Sequence, residues 1–251
     1  MANFFGIPLV FLEDFWGTYI RSEATPNLVL SIDQAGARLV QEKYGSSTRV
    51  EVVGNYVVNK VRELDIPEET RRVVENLRSK FGKVFVFTAG GVHVSEQLEL
   101  LKKCLKQTSN WVLVPRFHPK SVNLTAPSGK TFGDEWRGLL EEFGERVVYV
   151  ESKTTDPLIA LADVTLSDFS TLLTTALVSK HPAISVVTPM VRETMRKEIG
   201  FVSHPLVESG LVKEVIEPCN LAEYLAPDLS MAELQPYRPE KALMAIEALC
   251  S

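Results

Sequence analysis

With 251 residues and 45% hydrophobic content, the chain can fill the core of one large domain or two small ones. A net charge of −5 excludes a global basic field of the kind that drives nucleic-acid binding. Cys104, Cys219 and Cys250 are far apart and form no CxxC pair, which argues against a disulfide framework and a zinc site and fits a reducing, cytoplasmic setting.

No apolar run approaches the ~18 residues that span a bilayer. The apolar N-terminus lacks a basic flank and a small-residue cleavage site, so it reads as core rather than as a signal peptide. Peripheral membrane contact stays open. Ile7–Leu12 reads as a buried strand with Glu13 and Asp14 at its carboxyl end. Leu28–Ile32 is a second strand. Asp33 caps a helix whose Ala35, Leu39, Val40 and Tyr44 share one face, and Gly45 stops it. Arg49–Val53 is a third strand, ending in Gly54-Asn55. Residues 1–60 thus predict a partial α/β layer with an unpaired edge, and 56–66 read as a connector.

Residues 61–251 have a more regular rhythm. Pro67-Glu68-Glu69 opens a helix that Gly82 ends. Strands are expected at Val84–Phe87, Trp111–Val114, Val147–Val150, Val164–Leu166 and Ala183–Val187, with helices between them and a last helix over Pro239–Cys250. Alternation of this kind predicts an α/β fold with a doubly wound, Rossmann-like parallel sheet. There are no repeats and no heptads.

In such a sheet, ligands sit beyond the carboxyl ends of the strands. Gly90-Gly91, Arg116, His118, and the turn Ser167-Asp168-Phe169-Ser170-Thr171 all follow strands, so they are expected on one rim. Paired glycines allow close approach to a phosphate; His118 and Arg116 can donate to phosphate oxygens. A hydroxyl-rich turn opening a helix can cradle an anion. Each feature also has a plainer reading: Gly90-Gly91 as a tight turn, His118 bonded to a backbone carbonyl beside Pro119, and Ser170 or Asp168 as a helix cap. Glu13 and Asp14 are candidate acid/base groups, or simply solvated acids. Ser128-Gly129-Lys130-Thr131 is no Walker A motif, because Leu124 stands where the first glycine belongs. No His/Cys/Asp/Glu cluster has metal-ligand spacing.

Three segments together resemble the GT-B superfamily of nucleotide-sugar glycosyltransferases, UDP-N-acetylglucosamine 2-epimerases and CDP-glycerol glycerophosphotransferases. Gly54-Asn55 is similar to the "GN" that closes the epimerases' amino-terminal domain. Phe117-His118-Pro119 looks like the glycerophosphotransferases' "HP". Ala162 to Pro182 resembles their T-D-Y-S-S segment at the diphosphate pocket, with Ser167-Asp168-Phe169-Ser170-Thr171 in its place. The resemblance implies a GT-B carboxyl-terminal domain preceded by only part of the amino-terminal one, as in a truncated frame or one half of a split enzyme. It implies a transferase, or its donor-binding portion, that takes a nucleotide-diphosphate sugar or alcohol. Gly90, Gly91, Arg116, Ser167, Asp168, Ser170 and Thr171 would hold the donor, and His118 would neutralise leaving-group charge, with Glu13 and Asp14 as further catalytic candidates. No metal or other cofactor is expected. The alternatives are a non-catalytic partner subunit, which pairs its open edge with another copy or chain, and an epimerase relative; the epimerases' P-E-E-x-N-R segment is missing after Arg21.

Overall fold

The computed structural model describes residues 7–89, 93–150, 155–224 and 234–250. Its strands are β1 (Val10–Leu12), β2 (Leu28–Ser31), β3 (Arg49–Val52), β4 (Lys83–Ala89), β5 (Trp111–Phe117), β6 (Val164–Ser167), β7 (Ala183–Val186) and β8 (Lys213–Val215). The helices are α1 (Gln34–Tyr44), α2 (Tyr56–Arg62), α3 (Glu68–Phe81), α4 (Val94–Gln107), α5 (Pro119–Val122), α6 (Phe132–Leu140), α7 (Asp156–Leu161), α8 (Leu172–Val178), α9 (Pro189–Ile199), α10 (Pro205–Glu208) and α11 (Pro239–Cys250). Two parallel sheets form, a three-stranded one ordered β1-β2-β3 and a five-stranded one ordered β5-β4-β6-β7-β8. Parallel strands need helical crossovers, and those helices bury both faces of the larger sheet. Val84, Val86, Val112 and Val114 point to the face covered by α3, α7 and α8, while Phe85, Phe87 and Leu113 point to the face covered by α4 and α6.

Local chemistry explains most boundaries. Asp33 caps α1 by accepting from Gly36 N at 2.9 Å. Gly45 and Gly82 end α1 and α3 at positive φ, where a side chain would be strained. Residues 56–66 contain α2, capped by Asn55, whose Oδ1 accepts from Val57 N at 2.9 Å. Its three valines mask the helix, because β-branched residues carry low helix propensity.

Val147–Val150 is not a strand. The segment leaves a 3-10 turn (Glu141–Arg146) kinked at Gly144, and its backbone pairs with β5 through a Leu113–Val147 bridge and the bond from Val148 N to Leu113 O (2.9 Å) rather than through a ladder. The fifth strand is instead β8, whose Lys213 and Glu214 give no apolar signal because the strand lies at the sheet edge. Helix α11 returns to the small sheet, where Ala242 and Ala245 pack on Leu28, Leu30 and Val53. Gly54 fastens this return. Its φ is 91°, and a Cβ there would collide with the Pro236 carbonyl; Asn55 N also donates to Gln235 O at 2.9 Å.

Candidate functional site

Chain order reverses direction at β4. It steps outward to β5, then returns through α5, α6 and α7 to place β6 on the other side of β4. The connections that leave the carboxyl ends of β4 and β6 therefore run to opposite sides and leave a crevice at a topological switch point. A cleft of about 590 Å³ opens there. Arg116, His118, Ser167, Asp168 and Ser170 all line it, as the shared rim predicts, together with Thr88 and Thr155. Thr171 begins α8 beside it. Gly90 and Gly91 lie outside the described residues.

Each of these groups is held differently. Ser167 is buried and already engaged: its Oγ donates to Thr88 O (2.9 Å) and accepts from Thr88 Oγ1 (2.7 Å), which clamps β4 to β6 at the mouth of the cleft. Ser170 Oγ accepts from Leu172 N at 3.2 Å, so it opens α8 in the capping manner while its O–H stays a donor. Thr171 makes no side-chain cap. Exposed His118 accepts from Lys120 N at its Nδ1 (3.2 Å), and its own N–H donates to Ala89 O (2.9 Å). With Nδ1 occupied as an acceptor, the neutral ring carries its proton on Nε2. The expected bond to a backbone carbonyl is therefore replaced by one from a backbone N–H: Nδ1 serves as a helix-cap acceptor, and Nε2 remains a donor. The Arg116 guanidinium donates to Val150 O at 2.7 Å, which fixes its orientation at the cleft wall.

Asp168 is the acidic member. Burial pushes its carboxyl up to about 6, against the lowering effect of its own backbone N–H and the Gln97 side chain. An acid that titrates there loses its charge in mildly acidic solution, which reduces its repulsion of a neighbouring anion.

Glu13 and Asp14 do not line this cleft. Glu13 is 1% exposed and accepts from Gly17 N (3.1 Å), Ser31 Oγ (2.6 Å) and Ile32 N (3.1 Å). Burial nevertheless raises its carboxyl to about 7. Gly36 makes room for it, since a Cβ there would meet Glu13 Oε2 and Ser31 Oγ. Asp14 is exposed.

Two residues at the centre of the arrangement carry little sequence signal. Phe169 inserts between the two sheets, edge-on to Phe15 (4.7 Å between ring centroids) and Trp16 (6.5 Å). His204 is fully buried against Trp16 (4.9 Å) and Phe169 (4.6 Å). Its Nδ1 accepts from Leu206 N at 3.1 Å, while Nε2 faces the Ser170 backbone without reaching hydrogen-bond geometry. Burial drives its pKa down to about 3. Its only signal in the sequence is that His204-Pro205 repeats the His118-Pro119 dipeptide.

Among the described residues, no group of three or more His, Cys, Asp or Glu side chains could hold a metal ion, and no helix is long and apolar enough to cross a membrane.

The parallel sheets, the switch-point cleft and the return of the last helix define an α/β, Rossmann-like fold of the GT-B type. Solved structures with this fold include a UDP-GlcNAc 2-epimerase from Methanocaldococcus jannaschii (12% identity, TM-score 0.56). S. aureus MnaA in complex with UDP (15%, 0.57) and a putative UDP-N-acetylglucosamine 2-epimerase from Listeria monocytogenes (15%, 0.61) are similar as well. Each alignment covers 99% of this chain but only 72%, 63% and 68% of those chains, respectively. No protein-family model and no curated protein sequence matches the chain.

Proposed function

We propose that the chain is a GT-B-type transferase, or the donor-binding portion of one, that binds a nucleotide-diphosphate sugar or alcohol in the switch-point cleft. The observation that carries this reading is the convergence of Arg116, the His118 Nε2 proton and the Ser170 hydroxyl on one cleft large enough for a nucleotide. UDP in the related S. aureus structure is consistent with it. In the proposed reaction, an acceptor hydroxyl gives up its proton and its oxygen attacks the donor. With a sugar donor it attacks the carbon that bears the diphosphate, the carbon–oxygen bond breaks and the nucleoside diphosphate departs. With an alcohol donor it attacks the distal phosphorus, the bond to the bridging oxygen breaks and a nucleoside monophosphate departs. In either case the departing phosphate gains negative charge. His118 and Arg116 are placed to stabilise that charge, which is electrostatic rather than covalent catalysis. No metal or other cofactor takes part in this scheme.

A thermal-shift panel with UDP, CDP, GDP and ADP tests the reading. A diphosphate at ~100 times its Kd stabilises by roughly 2.7 kcal/mol, which raises the Tm by roughly 5–10 °C for a chain of this size. Ser170→Ala should reduce that rise, and His118→Ala should lower turnover more than nucleotide affinity. If no diphosphate moves the Tm, the cleft is not a donor site. Conversion of UDP-N-acetylglucosamine into its C2 epimer would move the chain to the epimerase reading.

A further inference from the structure

Across the Asp168-Phe169 turn from the cleft lies a second, smaller chamber of about 180 Å³, and both residues line both spaces. Its lining is apolar at Phe15, Phe169, Met195 and Ile199 and polar at His93, Gln97 and Thr194. His93 Nε2 lies 3.0 Å from Thr194 Oγ1, so the start of α4 and the middle of α9 are tied together at the chamber lining. Gln97 is fully buried. Its Nε2 donates to Val186 O at 2.8 Å, but its Oε1 has no partner. A buried acceptor without a donor is costly and rare, and here it belongs to a residue that borders an open space.

The geometry points to this chamber as the subsite for the group carried on the diphosphate: a compact, uncharged, hydroxylated group of monosaccharide size or smaller. One of its hydroxyls would donate to Gln97 Oε1, and its C–H face would lie on the Phe15 and Phe169 rings. The volume is too small for a nucleotide, and Glu198, which lines the chamber but not the cleft, disfavours an anionic group. This assignment rests on the diphosphate reading of the cleft.

Calorimetric titration separates the two. UDP, CDP and GDP would be compared with UDP-N-acetylglucosamine, CDP-glycerol and GDP-mannose on wild type, Thr194→Trp and Gln97→Met. For the base that binds, the loaded donor should bind at least about tenfold more tightly than the bare diphosphate. Thr194→Trp, which fills the chamber from α9, should abolish that gain and leave the bare diphosphate within about twofold of wild type; Gln97→Met should reduce it. Equal binding of bare and loaded donors, or a gain that survives Thr194→Trp, overturns the chamber assignment alone. If none of the bare diphosphates binds, the cleft reading fails and the subsite fails with it.

A separate feature lies two turns further along α4. Cys104, buried on that helix, and Cys219, half-buried after β8, hold their sulfurs 3.9 Å apart, although they are distant in sequence. We infer that they form a dithiol that closes to a disulfide. An S–S bond of ~2.05 Å requires the sulfurs to approach by about 2 Å, within the reach of side-chain rotation. Cys219 is the accessible member; burial pushes the Cys104 thiol up to about 11, which makes it the resolving partner. With oxidised glutathione, the Cys219 thiolate attacks the glutathione disulfide and releases one glutathione. Cys104 then attacks the Cys219 sulfur, gives up its proton and releases the second. The two cysteines are oxidised by two electrons, and the glutathione disulfide is reduced by two.

Incubation of the whole chain with oxidised glutathione, followed by alkylation and mass analysis, tests this. The expected product has lost two hydrogens, yields a Cys104–Cys219 cross-linked peptide, melts several degrees higher and reverts with dithiothreitol. Cys219→Ser should prevent it. A stable glutathione adduct on Cys219, or a bond to Cys250, overturns the pairing.

Discussion

His118 and His204 show how far a residue's local setting decides its behaviour. Both precede proline at the start of a four-residue helix with nearly the same backbone, φ −66° and ψ 128° against φ −66° and ψ 136°. In both, Nδ1 accepts the N–H two residues on. One is exposed at the cleft, and the other is sealed between Trp16 and Phe169. The buried ring resists protonation, so its folded-state pKa falls from the usual 6.5 to about 3. A depressed pKa means that the unfolded chain binds the proton more readily. The contribution is intact above pH 6.5 and is lost as pH falls toward 3, at roughly 1.4 kcal/mol per pH unit. Urea melts across that range should show this slope in wild type and a shallower one in His204→Asn, which keeps a cap acceptor but cannot take the proton. Glu13 has the opposite sign. Its folded pKa is raised from 4.5 to about 7, so its contribution is full below pH 4.5 and fades as pH rises through 7. Glu13→Gln should flatten that limb, while the loss of an acceptor oxygen lowers stability at every pH.

At the scale of elements, the cleft depends on how β4 and β6 are joined. The reciprocal Thr88–Ser167 pair does this at the register where Thr88 faces Ser167. Ser167→Ala should cost about 1–3 kcal/mol in denaturant melts, because it strands a buried hydroxyl. Its effect on nucleotide binding should come only through strand spacing. The return of the chain to the small sheet depends in the same way on Gly54. Gly54→Ala combines positive-φ strain with a backbone collision and should cost roughly 2–5 kcal/mol, measured the same way. The rim residues of this region were legible in the sequence, since strand ends are read from apolar runs and turn chemistry. The partnership of Ser167 with Thr88 was not, because cross-strand neighbours are set by register. Nor was β8, because an edge strand need not be apolar.

On the scale of the whole molecule, one hydrophobic cluster joins the two sheets. Trp16, Tyr19 and Val29 of the amino-terminal layer share it with Val84 of the larger sheet and with Leu158 and Leu173 of the helices α7 and α8 that cover it. Trp16 is completely buried, and its Nε1 donates to Asp33 Oδ2 at 2.8 Å. The chain should therefore unfold in a single cooperative transition, with far-ultraviolet dichroism and tryptophan fluorescence changing together. Trp16→Ala should cost about 3–5 kcal/mol. Because Phe169 packs against Trp16 and also lines the cleft, this substitution should loosen ligand binding as well. Two separate transitions would contradict a shared core.

The sequence by itself determined the class of fold, the parallel sheet and the rim on which Arg116, His118, Asp168 and Ser170 stand. Those follow from apolar period, caps and the chain order of strands, all of which are local. The tertiary structure decided what distance along the chain hides. It gave Ser167 to a strand clamp and Glu13 to a buried strut. It sealed His204 behind Phe169, set Gln97 into a second chamber, and brought Cys104 within 3.9 Å of Cys219. Those outcomes depend on which surfaces exclude water once helices and sheets pack, and no residue's own neighbours in the chain carry that information.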